Sequence, residues 1–290
     1  PVAPSCALLA PACGVPQIED CCASLLVRGG THRRSFDATT DYPNGNFPAT
    51  VSDFYLDRFE VTVGRFRAFA EAGRGTSRAP PAPGDGAHAR IPGSGWDPAW
   101  DASLPVDSTA LRSTLRCDAR ATWTDAPGAS EELPLNCASW YLALAFCAWD
   151  GGRLPTEAER DRVAAGGGEQ RVYPWSVPPS SQTISDAEAV YCGGACGSVA
   201  PVGSRSPAGD GLWGHADLSG NVWEWVLDAY GAYPLPCTDC ALLEAAPAAR
   251  TIRGGNFAAG APVLRSAARA GAPPSTQDNG SGFRCARDVL

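Results

Sequence analysis

Twelve cysteines offer more chemistry than any other residue type in this 290-residue chain. An even dozen thiols fits an oxidising compartment, where they pair, better than a cytosol that keeps them reduced. Cys21 and Cys22 are adjacent and bond to different partners, with Cys6 and Cys13 the natural candidates. Cys117 and Cys137 flank a loop, while Cys192 with Cys196, and Cys237 with Cys240, are spaced to close short local rings. The same four residues, Cys192, Cys196, Cys237 and Cys240, also have spacings that a tetrahedral zinc ion accepts. Disulfides take precedence, because the other eight cysteines already argue for oxidation. Cys237-Thr238-Asp239-Cys240 lacks the βαβ surroundings of a thioredoxin-like redox motif.

Other chemistries find fewer residues. Asp217 and Glu224 bracket the bend Ser219-Gly220-Asn221, and hard carboxylate and carbonyl oxygens on tightly turning backbone suit calcium. By themselves they read equally as a turn with two solvated acids. The three histidines, His32, His88 and His215, stand in unrelated contexts, whereas an iron facial triad needs two histidines and a carboxylate converging. No Gly-x-Ser-x-Gly elbow follows a strand. Gly166-Gly167-Gly168 and Gly193-Gly194 lack the strand–turn–helix setting of a phosphate cradle and act as chain breakers. The acid pairs Glu131-Glu132 and Glu157/Glu159 read as solvated loop and helix charges, Glu159 being needed for capping.

Elements must position these groups. Val51 to Val61 alternates as a strand does. Thr62 then N-caps a helix with Val63, Phe66 and Phe69 on one face, ending near Gly73. A second helix spans Ser139 to Trp149, closed by Gly151 and Gly152. Thr156 and Glu159 form a capping box that starts a third, stopped at Gly166. Residues 74–135 are rich in Gly, Pro, Ser and Asp without a sustained period, and form an irregular insertion. Short strands between Gly/Pro turns follow; in one of them Trp223 and Trp225 share a face opposite Val222 and Glu224 and are free to pack in the core. The organisation is a cystine- and Pro-rich segment, 1–24, and one α+β domain, 25–290.

Composition narrows the partners. There is no lysine, all 23 basic residues are arginine, and the net charge of -8 argues against a nucleic-acid backbone partner. No apolar run is long enough for a transmembrane segment. The chain opens on Pro1, as expected if a leader has been removed. The cysteines predict a secreted, extracellular or surface-displayed protein, and the arginine-only, Ala-, Gly- and Pro-rich composition points to a bacterial cell surface.

Three motifs occur in one order: Gly152-Arg153-Leu154-Pro155-Thr156-Glu157-Ala158-Glu159, Asp217-Leu218-Ser219-Gly220-Asn221-Val222-Trp223-Glu224-Trp225, and a C-terminal frame. The frame comprises Arg253-Gly254-Gly255-Asn256-Phe257, Arg265-Ser266-Ala267-Ala268-Arg269 and Gly282-Phe283-Arg284-Cys285. Together they resemble the formylglycine-generating enzyme (sulfatase-modifying factor) family over about residues 25–288. The resemblance implies a C-type-lectin-like α+β fold with short strands, about three helices and much irregular structure. It pairs Cys147 with Cys285, and it places side chains of Asp217 and Glu224 and carbonyls of Gly220 and Val222 around a structural calcium ion. The family's other calcium site falls at Ala189-Val190-Tyr191, where Val190 brings no side-chain oxygen and Asp186 or Glu188 are the substitutes.

The family's chemistry does not carry over. Its oxidases bind Cu(I) through two cysteines, thiolate being the soft ligand that ion selects. The first falls at Ala259 here, the second near Pro262 to Leu264, and no cysteine lies between Cys240 and Cys285. Copper is therefore not expected. Nothing in these 290 residues reads as the helical domain that carries iron-binding histidines in the ergothioneine-type sulfoxide synthases, so iron is not expected here.

The C-terminal frame also resembles the variable proteins of diversity-generating retroelements, whose residues between Arg-Gly-Gly and Gly-Phe-Arg line a binding surface. The matching positions are Ala258, Ala259, Gly260, Val263, Gly271, Ser275, Gln277 and Asp278. Arg265 and Arg269 anchor the frame on carbonyls or acids. Trp96, Trp100 and Trp123 in the insertion make a competing site or pack in the core. The expectation is a binding or structural protein with a protein or glycan ligand. A divergent metal-dependent oxidase, and a self-assembling surface-layer or filament subunit docking through the Pro-rich segment, are the alternatives.

Overall fold

The computed structural model describes residues 3–7, 12–14, 16, 18–194 and 196–289. Within these, β1 (Ser24–Val27), β4 (Phe54–Asp57) and β9 (Ala286–Asp288) form one sheet in the order β1-β4-β9, joining the two ends of the domain. A hairpin pairs β2 (Gly30–Arg33) with β3 (Pro48–Val51). The third sheet runs β7 (Arg269–Ala272), β6 (Arg250–Arg253), β5 (Trp223–Ala229) and β8 (Ser281–Gly282). Every pairing is antiparallel except β5 with β8. The expected strand from Val51 to Val61 is broken into β3 and β4, because Asp53 turns out to accept the Gly29 amide at 2.7 Å.

Four α-helices are described: α1 (Val63–Glu71), α2 (Ser108–Thr114), α3 (Trp140–Trp149) and α4 (Glu157–Ala164). Thr62 caps α1 by accepting the Arg65 amide at 3.2 Å, and Val63, Phe66 and Phe69 are buried. Ser139 caps α3, which is apolar on nearly every side and correspondingly lies inside the core. Thr156 and Glu159 cap α4 reciprocally. The insertion holds α2 and a 3-10 turn at Pro98–Ser103, each N-capped by an aspartate, Asp107 and Asp97. Both elements are too short to generate a period.

The main core gathers Phe66, Phe69, Phe146 and Phe283 around Trp140 and Trp225. Phe66 stacks on Phe146 with ring centroids 5.5 Å apart. A buried tryptophan usually finds a partner for its N–H. Trp140 donates to the Val226 carbonyl at 2.8 Å, and Trp225 to that of Ala138 at 3.0 Å. Trp96 and Trp123 are buried, and Trp100 packs edge-on against Trp96 and Trp140. All three insertion tryptophans thus serve packing.

The cysteines form six disulfides: Cys6–Cys22, Cys13–Cys21, Cys117–Cys137, Cys147–Cys285, Cys192–Cys196 and Cys237–Cys240. Each of the last two closes on itself, so no four-thiolate zinc cage forms. The N-terminal segment is docked on its own domain. The Ser5 amide donates to Asp150 at 2.9 Å, and Arg65 donates to the Ser5 hydroxyl at 3.1 Å. No described helix is long and apolar enough to cross a membrane.

Candidate functional site

The chain leaves β6 through Gly254 and Gly255, both at positive φ. A Cβ on Gly254 would lie 3.0 Å from the Leu218 carbonyl, and the Gly254 carbonyl accepts the Gly220 amide at 2.9 Å. The Arg-Gly-Gly turn therefore lies directly against the bend at 217–224. Beyond it, the Ala259 carbonyl accepts the Cys192 amide at 2.9 Å, and Tyr173 donates to the Ala261 carbonyl at 3.2 Å. The Ala259 methyl packs against a small cluster of Val172, Tyr173, Ala189 and Leu264, bordered by Trp175 and Tyr191. Tyr173 and Trp175 stack face to face at 5.2 Å. A methyl in an apolar cluster has no lone pair for a metal, and no cysteine anywhere in the chain is free.

Glu224 occupies the opposite side of that turn, buried between two guanidinium groups. Arg160 donates to it at 2.7 and 3.0 Å, and Arg284 at 2.9 and 2.8 Å. Burial alone would raise its pKa; the two arginines outweigh burial and hold it below the usual carboxylate range. Glu60 accepts the Asn221 side-chain amide at 2.7 Å and the Val222 amide at 3.2 Å. Burial, with Asp217 close by, raises Glu60 well above its ordinary value. Burial also pushes Asp217 up to about 6, although the Gly203 amide donates to it at 2.5 Å.

Glu224 does not fit the expected calcium ion as it stands. Both oxygens of Glu224 already serve arginines, and a divalent ion beside it would meet two fixed positive charges. Among the described residues no group of three or more His, Cys, Asp or Glu is arranged to hold a metal. At the other expected position the Val190 carbonyl accepts the Asn221 amide at 2.9 Å. The histidines are buried and apart. His215 lies against the Leu56 carbonyl at 3.3 Å, His88 is 3.4 Å from Glu159, and His32 is 3.7 Å from Asp161.

The domain model described as "Sulfatase-modifying factor enzyme 1-like domain" matches residues 14–289. The chain belongs to the sulfatase-modifying factor family. It is 30% identical over 282 residues to the inactive C-alpha-formylglycine-generating enzyme 2 of Bos taurus, covering 87% of this chain and 84% of that protein. It is also 30% identical over 301 residues to the formylglycine-generating enzyme of Thermomonospora curvata, covering 91% and 93%. The structure of PvdO from Pseudomonas aeruginosa superposes with a TM-score of 0.62 over 92% of this chain and 94% of that one, at 24% identity.

On this sulfatase-modifying factor scaffold the eight surface positions read from the sequence take different settings. Ala258, Ala259, Gly260 and Val263 share the loop after β6, with Val263 exposed. Asp278 belongs to the neighbouring turn, where its carbonyl accepts the Cys137 amide at 2.9 Å. Gln277 is exposed beside it, and Ser275 is exposed in a turn whose Pro274 carbonyl accepts the Trp140 amide at the start of α3. Gly271 lies in β7 so close to Tyr230 that a Cβ would sit 2.4 Å from the ring.

Arg269 and Arg265 anchor the frame. Arg269 donates twice to Glu157 at 2.7 Å, and Arg265 donates to Gln182 at 2.6 Å and Thr39 at 2.8 Å. Glu157 and Glu159 are therefore not solvated. The first is held by Arg269, the second by Arg153 at 2.6 and 2.7 Å, because α4 is packed against β3 and β5 along its length.

Two clefts escaped the sequence reading. One, of 410 Å³, lies between Pro80, Pro81 and Trp149; the other, of 790 Å³, lies between the N-terminal segment and Trp149 to Arg153. Neither is lined by the Ala259 loop. The Pro80-Pro81 doublet and glycines in the insertion mark the chain reversals that build the first, but nothing local shows which helices they face.

Proposed function

We propose that this protein is a binding or structural member of the sulfatase-modifying factor family, secreted or displayed at a cell surface, without oxidase activity. The observation that carries the reading is Ala259, whose half-buried methyl packs against an apolar cluster; the family resemblance puts one of the oxidases' copper thiolates at this position. Relocated ligands lack support, since all twelve cysteines are in disulfides and the three histidines stand apart. The relatives' names do not decide the matter, because the inactive and the active relative are equally similar. Six disulfides favour an oxidising setting. The ligand is a protein or a glycan, and the exposed loop around Ala258, Gly260 and Val263 is the surface offered for it.

Elemental analysis tests this reading. Protein incubated with copper and passed through a desalting column should retain essentially none; one tightly held copper per chain would overturn the proposal. Because Arg160 and Arg284 already neutralise Glu224, the melting temperature should be the same in calcium and in chelator. A rise of several degrees in calcium would restore a metal to the 217–224 bend.

A further inference from the structure

We propose that the Cys192–Cys196 disulfide is a thiol-exchange site, which takes up a thiol ligand at Cys196. Of the twelve cysteines, Cys196 is the one that is exposed; each of the others is buried or half-buried. Its surroundings are open. A Cβ added to Gly194 or Gly197 would meet nothing within 4 Å beyond its own chain neighbours, so these two glycines near Cys196 leave open space for an incoming thiolate. Cys192, by contrast, is half-buried and fixed, its amide bonded to the Ala259 carbonyl at 2.9 Å. Exposed disulfides are the labile ones, because exchange requires access to a sulfur along the S–S axis. This bond closes a sequence separation of only 4, so opening it leaves the fold tied by the other five pairs. The proposal rests on the reading of the Ala259 loop as a binding surface for its setting, not for its chemistry.

The step balances without an outside oxidant. A ligand thiolate attacks Cys196 Sγ, the Cys192–Cys196 bond breaks, and its electron pair leaves on Cys192 Sγ, which takes a proton from water. The product is a mixed disulfide at Cys196 and a free thiol at Cys192. Attack by Cys192 on the mixed disulfide reverses the step, expels the ligand thiol and restores the ring. Because Cys192 is anchored to the Ala259 loop, the leaving sulfur stays in place for that return.

Sequence makes the test clean. Cleavage after Arg171 and Arg205 releases a peptide whose only cysteines are Cys192 and Cys196. Folded protein is exposed to glutathione, quenched with an alkylating reagent and mapped. The peptide should carry one glutathione and one alkyl group, appearing on the order of tenfold faster than modification at any other cysteine. A peptide that stays oxidised while other pairs open, or that opens no faster than they do, would overturn the proposal.

Two variants test the direction of attack. With oxidised glutathione, Cys192→Ser, which leaves Cys196 free, should be glutathionylated much faster than Cys196→Ser; equal rates would refute attack at Cys196. A cysteine-bearing peptide at equal thiol concentration distinguishes the source of the ligand: faster reaction than glutathione assigns a partner protein, and parity assigns a small thiol. Formylglycine formation would sink the proposed function while leaving glutathione uptake untouched, so the two ideas fail separately.

Discussion

Removing the Cys147–Cys285 bond by the double substitution Cys147→Ala/Cys285→Ala should cost far more stability than removing Cys192–Cys196 in the same way. The first pair closes a sequence separation of 138 and the second a separation of 4. Loop-closure entropy then assigns about 5 kcal/mol to the long loop and about 2 kcal/mol to the short one. Packing widens the gap. Cys147 and Cys285 are fully buried beside Phe146 and Phe283, so their sulfurs leave voids, whereas Cys196 is exposed. For a chain of this length the unfolding entropy is about 0.6 kcal/mol per degree, which converts the two losses to about 8 °C and about 3 °C. Against a total stability of roughly 5–15 kcal/mol the first loss is severe and the second tolerable. Scanning calorimetry of both double variants without reductant measures the difference. Equal shifts, or a larger shift for the short loop, would refute the reasoning that sequence separation and burial set the contribution of these bonds.

Glu224→Gln should destabilise the fold by roughly 3–5 kcal/mol in urea unfolding, because two buried guanidinium groups lose their counter-charge. A loss below about 1 kcal/mol would show that the arginines do not depend on it. His32 is buried with both ring nitrogens lacking a hydrogen-bond partner, and burial lowers its pKa to about 4. A histidine depressed in the folded state stays neutral there while the unfolded chain takes up a proton near pH 6.5. Its contribution is therefore intact above that pH and lost as pH falls toward 4, by about 3 kcal/mol in all. His32→Leu should flatten the pH dependence of stability across that window, and an unchanged slope would contradict the assignment.

What the sequence disclosed depended on distance along the chain. Thr62, Ser139 and the Thr156/Glu159 box announce their helices because a cap acts within three residues. The hydrophobic face of α1 is legible for the same reason. The buried charge network was not, since charged residues are solvated by default and the exceptions depend on remote partners. Glu224 meets Arg160 from 64 residues away, and Glu157 meets Arg269 from 112. The same holds for the 217–224 bend, whose Glu224 looks available in sequence until Arg160 and Arg284 arrive from α4 and from the segment before β9. Ala259 was legible as an absence of thiol; that its methyl joins Val172 and Leu264 required the fold.

Formylglycine formation tests the central claim most directly. The purified protein, supplied with copper and oxygen, is incubated with a cysteine-containing sulfatase peptide, and the product is read by mass spectrometry. With Ala259 proposed at the family's copper position and every cysteine in a disulfide, the peptide should be recovered with its cysteine unconverted. Catalytic conversion of that cysteine to formylglycine would contradict the account.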